Sequence, residues 1–146
     1  MQYFVTGATG FIGKRLVKTL LARKGVTVHF LLRQESARKV PELLEYWGTS
    51  KARAIPVFGD LTAKKLGVAA DEIKALKATG IDAVFHLAAV YDLKADEESQ
   101  IQANIEGTRN VVEFAKAVDA KHLHHVSSIA AAGLYEGVFR EDMFDE

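Results

Sequence analysis

The 146-residue chain has no cysteine, only two prolines and no excess charge of either sign. Without cysteine there is neither a disulfide framework nor thiolate chemistry, and the reading is a reducing compartment, the cytoplasm by default. Nineteen basic and nineteen acidic side chains leave a formal net charge of zero. Nothing therefore favours nucleic acid or an anionic membrane as partner, and any phosphate site has to be local. Long apolar runs are missing too. Windows such as Ala83–Tyr91 are interrupted by His86 and fall well short of the roughly 18 residues that a membrane helix needs. Met1 leads almost at once into a strand-like run, without the basic start, apolar stretch and cleavage site of a signal peptide. Repeats and low-complexity linkers are absent, and Pro41 and Pro56 mark no internal boundary. One domain covering residues 1–146 is expected.

What the chain does have is alternation. Short runs rich in β-branched and aromatic residues, at Tyr3–Thr6, Val26–Leu32, Ala54–Phe58, Ala83–His86 and Leu123–Ser127, are separated by longer amphipathic stretches. Most of the runs are continuously apolar, as strands covered on both faces should be. The pattern predicts an α/β fold with a doubly wound parallel sheet in the order 3-2-1-4-5, with ligand above the C-terminal ends of strands one and four. The first helix places Ile12, Leu16, Val17, Leu20 and Leu21 in one stripe and should run to Gly25. Two more helices are expected over Ala37–Trp47 and Asp71–Ala78. The longest, about Ser99–Val118, is apolar on two adjacent faces, Ile101/Ile105/Val112/Ala115 and Val111/Phe114/Val118, which predicts packing between layers.

The sharpest chemical signal is Gly7-x-x-Gly10-x-x-Gly13, directly after a strand and opening a helix. In this context Gly7 permits a tight turn, Gly10 lets backbone approach a dinucleotide pyrophosphate, and Gly13 lets the helix pack against the sheet. The phosphates would meet unpaired N–H groups and the positive end of the helix starting near Phe11. Arg33 ends the second strand, where an acidic residue would bind the ribose 2′-OH of NAD. A guanidinium there favours a 2′-phosphate. One charge-assisted contact of roughly 1.5–3 kcal/mol corresponds to about ten- to a hundredfold preference for NADP over NAD. Arg38 or Lys39 would add a second contact; the alternative is a solvated Arg33 with Glu35 nearby.

The remaining candidates carry two readings each. Asp60 of Gly59-Asp60-Leu61-Thr62 could accept from an adenine amino group or simply make a turn. His86-Leu87-Ala88-Ala89 ends the fourth strand with small residues that suit a flat ligand or an ordinary strand end. Asn104 could tie that strand end down or lie on a helix surface. Ser127 and Ser128 end the fifth strand, where one hydroxyl could polarise a carbonyl or cap the next turn. Of His122, His124 and His125, only His122 and His124 could share a ligand, because neighbouring side chains on a strand face opposite ways. No third ligand is suggested, and no metal is expected.

In order, TGATGFIG, LLR, GDLT, HLAAVYD, NIEGTRNVV and VSSIAAAG resemble the extended short-chain dehydrogenase/reductase family from Tyr3 to about Gly133. Within it the stretches DLTAKKLG, HLAAVYDLKADEE and HHVSSIAAAGLYEGVFREDMFDE are most similar to the bacterial fatty acyl-CoA reductases and the thioester-reductase branch. The resemblance implies that Gly7, Gly10 and Gly13 with Phe11 and Ile12 hold the diphosphate of NADPH, and Arg33 its 2′-phosphate. It further implies adenine contacts from Asp60 and Leu61, and contacts of Ala88 and Ala89 with the ribose and nicotinamide side. Ser128, or alternatively Ser127, would be the catalytic hydroxyl. The family's Tyr-x-x-x-Lys pair is absent: four positions after Tyr3, Tyr46, Tyr91 and Tyr135 come Gly7, Ser50, Ala95 and Phe139. The expectation is therefore an N-terminal part of a longer reductase, with an incomplete C-terminal side, an unpaired apolar edge on the fifth strand and no turnover on its own. A small-molecule substrate, a fatty acyl thioester or aldehyde, is implied, and self-association is left open. The rival readings are a sugar-nucleotide epimerase/dehydratase or ketoreductase of the same superfamily, and a non-catalytic NADP-binding regulator.

Overall fold

The computed structural model describes residues 1–89, 97–128 and 133–143, with backbone alone at 97–100 and 102. Five parallel strands form one sheet: β1 (Gln2–Thr6), β2 (Thr27–Leu32), β3 (Ala54–Phe58), β4 (Ala83–His86) and β5 (His122–His125). They lie in the order β3-β2-β1-β4-β5, as the alternation predicts. Four α-helices, α1 (Phe11–Leu21), α2 (Val40–Trp47), α3 (Ala70–Thr79) and α4 (Glu97–Ala117), connect them, with short 3-10 segments at Gln34–Lys39 and Lys64–Gly67. Among the described residues no helix is long and apolar enough to cross a membrane.

The period-two alternation of β1 divides the core. Tyr3 and Val5 face a cluster built with Val28, Phe30, Val17, Leu20 and Trp47. Phe4, between them in sequence, faces Val84, Val111, Phe114 and Val118 on the other side. Helices α1 and α2 thus cover one face and α3 and α4 the other, so both faces of the sheet's centre, at β1, β2 and β4, are covered, which explains the continuous apolar strands there. Trp47 stands edge-on to Phe30 at 5.1 Å and donates its indole N–H to the Lys14 carbonyl at 3.0 Å, locking α2 onto α1.

Three expectations about the helices are corrected. Helix α1 ends at Leu21 rather than at Gly25, because the Arg53 guanidinium reaches over from the β3 side and binds the carbonyls of Leu21, Arg23 and Val26. Ile12 does not join the buried stripe: it is 60% exposed and Phe11 75%, while Gly13, Val17, Leu20 and Leu21 are buried. In α4 the Val111/Phe114/Val118 face is buried together with Ala115, but Ile101 and Ile105 are half exposed, so the helix is covered on one side rather than packed between layers. The edge strand β5, His-Leu-His-His, is exposed throughout, and Leu123 is its single large apolar residue.

Candidate functional site

At the C-terminal end of the sheet β1 runs into the glycine turn. Gly7 has φ +74°, and a methyl group there would lie 2.7 Å from the Ala88 amide nitrogen and 2.9 Å from the Leu87 carbonyl carbon. The turn therefore lies directly against the end of β4, a closeness no side chain permits. Gly13 has a different constraint from the expected packing on the sheet. Its Cβ would overlap the Gly7 carbonyl oxygen and come within 2.9 Å of the Ala8 Cα, so the first turn of α1 packs on the glycine turn itself. Gly10 is exposed and in extended backbone, with the Gly7 carbonyl oxygen 3.3 Å from where a Cβ would be. As N-cap it supplies no side-chain hydrogen bond, so no cap satisfies the opening amides of α1.

Above this turn lies a cleft of about 490 Å³. Its floor is Gly7, Thr9 and Gly10; one wall is Leu87, Ala88 and Ala89 after β4; the other is Asp60, Leu61 and Thr62 after β3. At the far end, after β2, stand Arg33, Ser36 and Lys39. The cleft thus gathers Gly7, Gly10, Arg33, Asp60, Leu61, Ala88 and Ala89 from four separate sequence motifs. Phe11, Ile12 and Gly13 lie beside it on the first turn of α1, outside its lining. Arg38 is exposed on the 3-10 segment and does not line the cleft; Lys39, its neighbour, does. Ser36 is a lining residue that sequence reasoning misses, because a serine after a strand carries no distinctive spacing.

Charge is arranged along this cleft. Arg33 Nε lies 3.3 Å from Glu35 Oε1 in an exposed ion pair. The Asp60 carboxylate accepts from the Thr62 hydroxyl at 2.7 Å and the Thr62 amide at 2.8 Å. These bonds, hydroxyl first, hold its pKa below the usual carboxylate value, and the Arg33 charge adds to the effect. Asp60 is thus both a turn former and an ionised wall residue.

Beneath the cleft runs a buried polar row. The Ala88 amide donates to Thr6 Oγ1 at 3.2 Å, Thr6 Oγ1 lies 2.7 Å from His86 Nδ1, and His86 Nε2 lies 3.4 Å from Thr108 Oγ1 on α4. Burial, helped by neighbouring His125, lowers the His86 pKa to about 4. Two residues further along α4, Asn110 donates from Nδ2 to the Leu61 carbonyl at 3.0 Å. From α4, Thr108 thus reaches the end of β4 and Asn110 the loop after β3. Sequence holds a signal for the latter: Asn110 falls in the helical stripe Gly107, Asn110, Val111, Phe114, where a buried amide requires a partner.

Ser127 and Ser128 are exposed beyond β5. His86 is the register partner of His125, and the Val126 amide bonds the His86 carbonyl at 2.9 Å. Ser128 thus follows that rung by three residues, as Ala89 does on β4. Residues 90–96 and 129–132, which carry the later parts of the two motifs, lie outside the described residues. His122 and His124 share one side of β5 with ring centroids 6.4 Å apart. Among the described residues no group of three or more His, Asp or Glu side chains is gathered.

A doubly wound sheet whose strand order reverses beside an uncapped helix, across a glycine-bounded turn, defines a NAD(P)-binding Rossmann domain of the extended short-chain dehydrogenase/reductase type. More narrowly, the chain belongs to the male sterility protein family, whose model matches residues 5–146. It is 34% identical over 152 residues to a linear gramicidin synthase from Brevibacillus parabrevis, covering 95% of this chain and 3% of that protein. A Drosophila melanogaster protein named as a fatty acyl-CoA reductase is 30% identical over 142 residues, covering 86% of this chain and 27% of the relative. Among solved structures, the terminal R domain of the myxalamid biosynthetic pathway superposes with a TM-score of 0.72 at 32% identity, covering 88% of this chain and 34% of that one. This chain therefore spans about a third or less of the length of these relatives.

Proposed function

We propose that this chain is the cofactor-binding part of an NADPH-dependent reductase acting on fatty acyl thioesters or the corresponding aldehydes. The observation that carries the reading is the cleft: the glycine turn on its floor with the uncapped first turn of α1 beside it, and Arg33, Ser36 and Lys39 together at the end where the adenosine ribose would lie. A dinucleotide fits these residues because Gly7 and Gly10 leave backbone where the diphosphate would lie, and Phe11 and Ile12 contribute amides from the first turn. Arg33 and Lys39 would neutralise a 2′-phosphate, with the Ser36 hydroxyl as donor. When bound, the nicotinamide supplies a hydride to a carbonyl carbon. Ser128, at the level of Ala89, would donate a hydrogen bond to the carbonyl oxygen as negative charge develops there. The relatives named for reduction, and the fatty acyl-CoA reductase in particular, support the thioester class of substrate.

The test is titration of the full-length protein with NADPH and NADH, followed by assay with a long-chain acyl-CoA and a long-chain aldehyde. Ten- to hundredfold tighter binding of NADPH is expected, with thioester-dependent NADPH oxidation that Ser128→Ala reduces by about a hundredfold or more. Equal affinities would remove the assignment of Arg33; oxidation with a nucleotide sugar and not with acyl-CoA would replace the substrate class.

A further inference from the structure

Thr6 and His86 are register partners on adjacent parallel strands, both fully buried on the α4 face of the sheet. The Thr6 hydroxyl accepts from the Ala88 amide and has one proton to give, and the nearest acceptor is His86 Nδ1 at 2.7 Å. That places the ring proton on Nε2, which faces Thr108 Oγ1. The hydrogen bonds of the row then run consistently: Thr108 accepts from His86, His86 accepts from Thr6, and Thr6 accepts from Ala88. Ala88 is also the residue against which Gly7 has no room for a side chain. The row accordingly ends on the one backbone amide that sets how closely the β4 wall approaches the glycine floor. Among the described residues the titratable group facing the ring is His125, 5.0 Å away between ring centroids.

We propose that His86 is a positioning residue for the cofactor: as the neutral Nε2–H tautomer it orients the Thr6 hydroxyl so that this holds the Ala88 amide against the Gly7 turn, fixing the nicotinamide-side wall of the cleft. The inference rests on the reading of the cleft as an NADPH site. It predicts a local effect. Loss of the row frees Ala88 and weakens contacts at the nicotinamide side, while the adenosine end, held by Arg33 and by Leu61 through Asn110, keeps its geometry.

The test uses the full-length protein and two probes: NADPH, and 2′,5′-ADP, which ends at its 5′-phosphate. Thr6→Val and His86→Leu should each weaken NADPH about tenfold and leave 2′,5′-ADP within about twofold. Thr6→Ser and His86→Asn, which return a hydroxyl and an acceptor near the Nδ1 position, should recover most of the NADPH affinity. The double variant Thr6→Val/His86→Leu should be no weaker than the poorer single one, because both break the same chain. Equal loss of both probes, no loss of either, or failure of the Ser and Asn variants to recover would overturn the proposal. Should His86→Leu fail to fold, the Thr6→Val and Thr6→Ser pair reads the same bond. Wild-type protein that binds neither probe would instead overturn the NADPH reading on which this one stands.

Discussion

Two glycines seven and thirteen residues into the chain are constrained by contact, and the one between them by the space it leaves open. Gly13→Ala would force the first turn of α1 off the Gly7 carbonyl oxygen, an overpacking that should cost about 1–3 kcal/mol of unfolding free energy in urea. Gly10→Leu meets only a 3.3 Å neighbour and should change stability by less than about 1 kcal/mol. Its side chain would occupy the cleft floor, however, and NADPH affinity should fall by more than about tenfold. A Gly10→Leu protein that binds NADPH normally would remove the diphosphate from this turn. The spacing of the three is legible in the sequence, but not their division of labour, because which glycine touches what depends on Ala88, 81 residues away from Gly7 in the chain. Arg33 at the end of β2 is also legible in the sequence, and its partner Glu35 as a neighbour only. Given their 3.3 Å ion pair, a 2′-phosphate bound as proposed would compete with Glu35 for the guanidinium. Glu35→Gln should therefore tighten NADPH about two- to fivefold, the scale of one exposed pair, and leave NADH unchanged. Identical shifts for both nucleotides would show that Glu35 acts elsewhere.

At the scale of elements, periodicity fails where it alone decides what a face touches. Ile101 and Ile105 have the right spacing for burial, yet among the described residues the buried positions of α4 begin only at Gly107, where the helix lies across the sheet. Ile12 has the spacing of the α1 stripe, yet it stands on the first turn, which projects past the sheet toward the cleft. Helix α2 starts three residues later than its apolar pattern suggests, because Pro41 has no amide hydrogen to give the Ala37 carbonyl and so fits only in a helix's first turn, leaving Gln34–Lys39 as the 3-10 segment that carries Ser36 and Lys39 into the cleft. What α4 does for the cleft is carried by its polar residues. Asn110 is buried and ties the Leu61 carbonyl, and Gly107 leaves room for the Leu61 side chain, whose Cδ2 would be 3.0 Å from a Cβ there. Asn110→Ala should cost about 1–3 kcal/mol, the scale of a buried carbonyl left without its partner. It should also weaken 2′,5′-ADP more than Thr6→Val does, since it releases the adenosine wall and not the other. Unaltered denaturation with unaltered binding would show that the bond contributes to neither.

For the whole molecule, the buried histidines tie stability to pH with a definite sign. Burial lowers the pKa of His86 to about 4 and that of His29 below its ordinary value. An unfolded histidine takes up a proton near pH 6.5, so between that pH and about 4 the unfolded chain binds more protons than the native one. Stability is then fully present above pH 6.5 and is lost as pH falls toward 4. For His86 alone the depression corresponds to about 3 kcal/mol, a large share of a small domain's margin. Asp60 and Asp82, whose pKa values are lowered by hydrogen bonds, act in the same direction at lower pH, while burial raises that of Glu72, which opposes them. The acid-sensitive group is also the one beneath the cleft, so protonation has a location as well as a magnitude. In the folded protein His86 takes up its proton only near pH 4, and once charged it can no longer accept from Thr6, so the Ala88 amide loses its anchor there. Urea unfolding from pH 7.5 to 4.5 should therefore show a falling midpoint, while the NADPH affinity of the folded protein, whose His86 stays neutral over that range, should hold until the pH approaches 4. In His86→Asn, where nothing at that position titrates, the slope should be reduced to the part due to His29 and the shifted carboxylates. A slope equal to wild type would place the acid sensitivity on another group.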